Sequence, residues 1–207
     1  MYRLKIGLSL IFILFSALVY AQAHLHEKDF ISIRLGNGKM MIPENKNLLN
    51  DRIPQIELTY ALSYSTKNYD WLKYTRTKYQ HFSLTYFNQQ DLDGYNDTSK
   101  GAFGSFIGFT YSVMMELVKT KRQHVYFIPG WGFGYDTKTY YQDSKNIFIG
   151  THLNYTIRAE INHVWDLSEN ISFTHCLRYY HYSNGAIVLP NRGLNTFSYL
   201  IGLQYSL

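Results

Sequence analysis

Two short segments near the end of the chain hold residue types that do chemistry together. The first is Tyr180-His181-Tyr182-Ser183-Asn184-Gly185, and the second is Pro190-Asn191-Arg192-Gly193-Leu194-Asn195. A serine hydroxyl is a poor nucleophile until a neighbouring base takes its proton, and histidine is the usual base. In an extended strand, residues two apart project to the same side, so His181 and Ser183 share a face. The spacing alone is not distinctive, because a chain rich in Tyr, His and Ser throws up such pairs by chance. What sharpens it is the company the pair keeps.

His181 has the parity of Leu177 and Tyr179, and Asn195 has the parity of Phe197 and Tyr199. Both sets belong to the apolar side of strands. Alternation with period two runs through the chain from about residue 29. Ile56, Leu58, Tyr60, Leu62 and Tyr64 alternate with Glu57, Thr59, Ala61 and Ser63. Phe82, Leu84 and Tyr86 alternate with His81, Ser83 and Thr85. Phe103, Ile107, Phe109, Tyr111 and Val113 are opposed by Gly104, Gly108, Thr110 and Ser112. Val125, Phe127, Trp131 and Phe133 are opposed by glycines 130, 132 and 134. Ile149, Leu153, Tyr155, Ile157 and Ile161 alternate with His152, Asn154, Arg158 and Glu160. With the runs at 30–35, 171–182 and 195–207, eight strands are expected, joined by alternately long and short connections. Residues 39–52, 88–101, 136–146 and 184–194 read as loops, and no segment has persuasive helical spacing.

Several of these strands exceed the five or six residues usual in globular proteins and reach the 9–11 that cross a bilayer. In hydrocarbon every backbone group must be paired, so a spanning sheet has to close on itself, and eight is an allowed strand number. The expected fold is an all-β, eight-stranded antiparallel outer-membrane barrel, apolar outside and polar inside. Arg158 and Glu160 then form an interior structural pair. His181, Ser183 and Asn195 converge at the rim on the lipid side, where ordinary structure gives polar groups little reason to be. A soluble lipid-binding barrel, with the apolar parity turned inward, is the competing architecture.

The N-terminus agrees with export. A basic start at Arg3 and Lys5, an uncharged run from Ile6 to Val19 and small residues around Ala21 read as a signal peptide over residues 1–21, leaving a single barrel domain over 22–207. The formal charge is +5. Its basic residues are scattered rather than gathered on one face, which speaks against a nucleic-acid partner. Cys176 is the one cysteine, so no internal disulfide can form. No CxxC or HExxH spacing suggests zinc. Aromatics make up 17% of the chain, with 20 Tyr, which suits surfaces that are apolar on one side and wet on the other.

The segment around His181 resembles the outer-membrane lipid A 3-O-deacylases, a family grouped with the acyloxyacyl-hydrolase-like proteins. The resemblance rests on His181, Ser183 and Asn184, on Asn191 and Gly193, and more loosely on Gly130-Trp131-Gly132-Phe133-Gly134 and the stretch from Phe148. It implies an eight-stranded barrel in the outer membrane of a Gram-negative cell, with its site at the external leaflet. The implied reaction is ester hydrolysis, releasing the 3-O-linked acyl chain of lipid A or lipopolysaccharide, with no metal or organic cofactor. Ser183 corresponds to the nucleophile and His181 to the general base. Asn184 and Asn191 would assist at the oxyanion, by side-chain amide or by ordering backbone amides, and Gly185 and Gly193 let the loop fold over the site.

Asn195 stands where the family pattern has a glutamate. An amide can orient the imidazole but cannot offset its positive charge, which leaves three outcomes: a working Ser-His-Asn site, recruitment of another acid, or no activity. Asp136, Asp143 and Asp166 are the other acids considered, the last expected at the opposite end of the barrel. A non-enzymatic structural or adhesive barrel is the alternative function, with His181 and Ser183 as ordinary rim residues.

Overall fold

The computed structural model describes residues 28–41, 52–92 and 100–207. The signal-peptide reading of residues 1–21 falls outside them. Eight antiparallel strands form a closed barrel in sequential order. They are β1 (Phe30–Met40), β2 (Ile53–Ser63), β3 (Thr77–Asn88), β4 (Ser105–Lys119), β5 (Gln123–Asp136), β6 (Leu153–Asp166), β7 (Ile171–Ser183) and β8 (Leu194–Ser206). β8 closes onto β1 in a continuous register from Phe30↔Ser206 to Met40↔Thr196. The strands run from 11 to 15 residues, enough to cross a hydrocarbon layer even when tilted.

The alternating pattern sets the two faces. Ile33, Leu58, Leu84, Phe109, Phe133, Ile157, Leu177, Phe197, Ile201 and Leu203 all point outward and are exposed. The residues between them are buried inside the barrel. This direction excludes the soluble barrel, whose apolar parity would line the interior.

The interior has three layers. Near the end carrying the 184–193 connection, Phe87, Phe103, Phe106, Phe148, Tyr180, Tyr182 and Leu194 form an apolar cluster. At the opposite end Phe30, Tyr79, Met114, Tyr126, Ile128 and Val164 form a second. Between them lies an ion network. Arg34 pairs with Glu57 and, at 2.5 Å, with Glu160. Arg158 meets Glu57 at 3.2 Å and Glu160 at 2.7 Å. Arg178 meets Glu57 at 2.7 Å and Glu160 at 2.8 Å. The expected Arg158–Glu160 pair is thus part of a cluster drawn from β1, β2, β6 and β7, and Cys176 is buried beside it, with Arg34 Nη1 3.5 Å from its Sγ.

Three local expectations differ. Phe103 does not share the lipid face of β4. It precedes that strand and is buried, its ring 5.7 Å from that of Phe148. Gly104, at φ +67°, turns the chain between the two and breaks the parity. Ile149 is likewise buried in the connection before β6, which begins only at Leu153. A six-residue helix, α1 (Asp70–Thr75), lies between β2 and β3. It is too short for helical periodicity to register in the sequence.

Candidate active site

β7 presents Tyr179, His181 and Ser183 on its outer face, with Tyr180 and Tyr182 turned inward and fully buried. Antiparallel pairing places Asn195 directly opposite His181, and Tyr155 opposite Ser183. Opposed residues on one face of a sheet are within contact range, so the register itself assembles the group. His181 Nε2 lies 3.2 Å from Ser183 Oγ. His181 Nδ1 lies 2.8 Å from Asn195 Oδ1. The three side chains form one hydrogen-bonded chain on the outward face, all half-buried. The inward Tyr182 stacks on Phe106, ring centroids 4.2 Å apart, so β7 is held firmly from behind.

The 184–193 connection folds back over this chain. Gly193, at φ +68°, donates its N–H to the Phe148 carbonyl at 3.1 Å. A Cβ at that position would lie 2.8 Å from His181 Cε1 and 3.0 Å from Ser183 Cβ, so only glycine lets the backbone pass this close. Gly185, at φ +66°, meets nothing within 4 Å and serves the turn alone. Asn184 is buried and its Nδ2 donates to the Val188 carbonyl at 3.0 Å. The Asn191 amide, oriented by its surroundings, donates to the Phe148 carbonyl at 3.2 Å and accepts from the Ala186 N–H at 3.1 Å. Both side-chain amides are therefore engaged within the loop, where they fix its backbone.

None of the three aspartates reaches His181. Asp136 points into the barrel and accepts from Asn154 at 2.8 Å. Asp143 sits in the 137–152 connection, 3.2 Å from Lys138 Nζ. What little burial it has works against its charge, but the Lys145 amide and the Lys138 ammonium hold its carboxyl below the usual range. Asp166 is at the far end of β6, paired with His124 at 3.2 Å and Ser172 at 2.8 Å. Tyr179 is the addition. The sequence marked it only as a lipid-facing aromatic, yet its hydroxyl donates to Asn195 Oδ1 at 2.7 Å. Its position two residues before His181, on the same face, was the available sign.

The exposed surroundings are apolar. Leu153, Tyr155, Ile157 and Trp131 project from the neighbouring strands, and Ile187 and Leu189 from the loop. A family model described as lipid A 3-O-deacylase (PagL) matches residues 41–204. The chain belongs to the lipid A 3-O-deacylase family. Comparison with curated protein sequences finds no significant match. Among solved structures, the outer membrane enzyme PagL is similar at 16% identity and a TM-score of 0.54, over 86% of this chain and 99% of that one. Neisserial surface protein A is similar at 8% identity and a TM-score of 0.52, over 86% of this chain and 97% of that one. These likenesses agree with the barrel seen here, and family and fold together assign this deacylase-family chain to the outer membrane.

Proposed function

We propose that this member of the deacylase family hydrolyses the 3-O-linked acyl ester of lipid A, with Ser183 as nucleophile and His181 as general base. The observation that carries the reading is the Asn195–His181–Ser183 chain on the lipid-facing side of the barrel. A neutral hydrogen-bonded relay there meets a substrate lying in the leaflet. The end carrying the 137–152 and 184–193 connections faces outward from the cell, because the opposite end carries the tight 120–122 and 167–170 turns and barrels of this kind keep short turns on the periplasmic side; the 64–76 connection with α1 is the exception at that end. Residues 1–21 are the export signal, and residues 22–207 form the barrel domain.

The chemistry follows from the arrangement. His181 Nδ1–H donates to Asn195, which leaves Nε2 bare to accept the Ser183 proton. Ser183 Oγ bonds to the ester carbonyl carbon, and the tetrahedral oxyanion collapses by expelling the sugar oxygen, which takes the proton from His181. Water then attacks the acyl-serine with His181 again as base, releasing the fatty acid and restoring Ser183. Asn184 and Asn191 hold the loop backbone whose amides border the oxyanion. Asn195 supplies orientation without charge, so the imidazolium is less stabilised than it would be beside a carboxylate. No metal or organic cofactor enters the scheme.

The test is the lipid A profile of a Gram-negative host expressing the wild-type chain or Ser183→Ala, read by mass spectrometry. Loss of one hydroxyacyl mass in the wild type alone is the expected result. Unchanged lipid A beside correctly inserted barrels would overturn the reading in favour of a structural or adhesive barrel.

A further inference from the structure

An amide at position 195 raises a problem that a carboxylate does not. A carboxylate offers an acceptor oxygen whichever way it is turned. An amide offers an oxygen on one side and an N–H donor on the other. Turned the wrong way, Asn195 would donate to His181 Nδ1 and force the proton onto Nε2. Nε2 would then donate to Ser183 Oγ and could not take its proton, so the site would be assembled and inert. Replacing the acid of a serine triad by its amide costs about 10⁴-fold, an effect attributed to the wrong histidine tautomer.

Asn195 Oδ1 accepts two hydrogen bonds, from Tyr179 Oη at 2.7 Å and His181 Nδ1 at 2.8 Å. Tyr179, His181 and Asn195 all lie on the outward face, with Tyr179 and Asn195 on neighbouring strands and half-buried. A phenol is a better donor than acceptor, because its oxygen lone pair is delocalised into the ring. An Asn195 oxygen facing it is therefore favoured over an Asn195 nitrogen. The same oxygen is then turned to His181, and the imidazole proton is drawn to Nδ1.

We propose that Tyr179 is a positioning residue that fixes the Asn195 amide oxygen-first toward His181 and so sets the base-competent tautomer. The inference rests on the assignment of His181 and Ser183 above. The Tyr179 hydroxyl does for an amide what a carboxylate does without help, and its importance should vanish when position 195 is acidic.

The tautomer can be read directly, apart from turnover. Two-bond ¹H–¹⁵N spectra of the His181 ring in detergent micelles at alkaline pH distinguish a protonated Nδ1 from a protonated Nε2. In the native chain Nδ1 is expected to carry the proton. In Tyr179→Phe the Nε2–H form should come to outnumber the Nδ1–H form by about 10-fold, since turnover scales with the base-competent fraction, and in Tyr179→Phe with Asn195→Asp it should disappear again. Deacylation should follow: Tyr179→Phe lowers kcat by about 10-fold or more with little change in KM, the mark of lost catalytic geometry rather than lost binding. In the Asn195→Asp background the same change should cost less than about 3-fold. An unchanged tautomer in Tyr179→Phe, or equal kcat losses in the two backgrounds, overturns the role of Tyr179. Ser183→Ala retaining full activity would instead overturn the underlying assignment.

Discussion

The barrel contains two His-x-Ser pairs with the same spacing and opposite fates. On β3, His81 and Ser83 point inward and are 2% and 1% exposed. On β7, His181 and Ser183 point outward and are half-buried. Each pair is hydrogen-bonded at 3.2 Å. The inward pair uses His81 Nδ1, and Ser83 Oγ is also held by Arg158 Nη1 at 3.1 Å and Thr59 Oγ1 at 3.1 Å. That buried hydroxyl is engaged by three interior side chains, one of them an arginine of the ion network, and Phe87, Phe106 and Tyr182 belong to the apolar cluster that fills the barrel interior toward the 184–193 connection. The outward pair uses Nε2, which leaves Nδ1 for Asn195, and the hydroxyl opens onto the leaflet. Spacing brings a base to a hydroxyl; the face of the sheet decides whether a substrate can arrive.

The sharpest way to break this comparison is to remove each imidazole. His181→Ala should lower deacylation by at least about 10³-fold, since members of a hydrolytic triad act as a unit. Its urea-unfolding midpoint in micelles should barely move. His81→Ala should do the reverse, leaving turnover per folded molecule unchanged and costing about 1–3 kcal/mol through buried groups left without partners. Turnover lost equally in both variants would mean that the two pairs are not functionally separate.

Next in size is the interior network itself. Glu57 faces Arg34, Arg158 and Arg178 and accepts from Thr85 at 2.8 Å. Glu57→Gln removes one of two negative charges among three buried arginines. The expected loss is about 3–5 kcal/mol of stability, the usual result of leaving a buried charge uncompensated. Hydrolysis by the molecules that remain folded should stay within about 3-fold of wild type, because no network member touches the outward relay. A specific activity that fell with the stability would join the two regions that the structure keeps apart.

Much of this was legible in the chain because alternation is a property of single residues along one strand. The outward set on β8, Phe197, Tyr199, Ile201, Leu203 and Tyr205, reads directly from the sequence. So does the shared face of His181 and Ser183. Asn195 could be placed on the same parity, but its position opposite His181 depends on the register that the 184–193 connection sets. The ion network was visible only as Arg158 and Glu160, because Arg34, Glu57 and Arg178 come from three other strands and meet only when the sheet closes. Phe103 and Ile149 misled because their chemistry suits a lipid face, while positive φ at Gly104 and the folded 137–152 connection turn them inward. Tyr179 was hidden by its own ambiguity: on a lipid face, a tyrosine reads as an apolar ring before it reads as a donor.

The finest test uses two glycines of the outer loop, which share a backbone conformation and differ in what lies beside them. Gly185 and Gly193 have φ of +66° and +68°. An alanine at either pays roughly 1 kcal/mol for the left-handed backbone. At Gly185 the new methyl meets nothing within 4 Å, whereas at Gly193 it presses on His181 and Ser183. Gly193→Ala should therefore lower kcat by about 10- to 100-fold, the scale of a sub-ångström to 1 Å displacement of a catalytic group. Gly185→Ala should lose similar stability while keeping kcat within about 3-fold. Because the backbone strain is common to both, the difference in kcat isolates the contact with the relay. Equal kcat losses would instead place the sensitivity in the loop conformation as a whole, and access to the outward face would depend on the loop's shape rather than on the fit around His181.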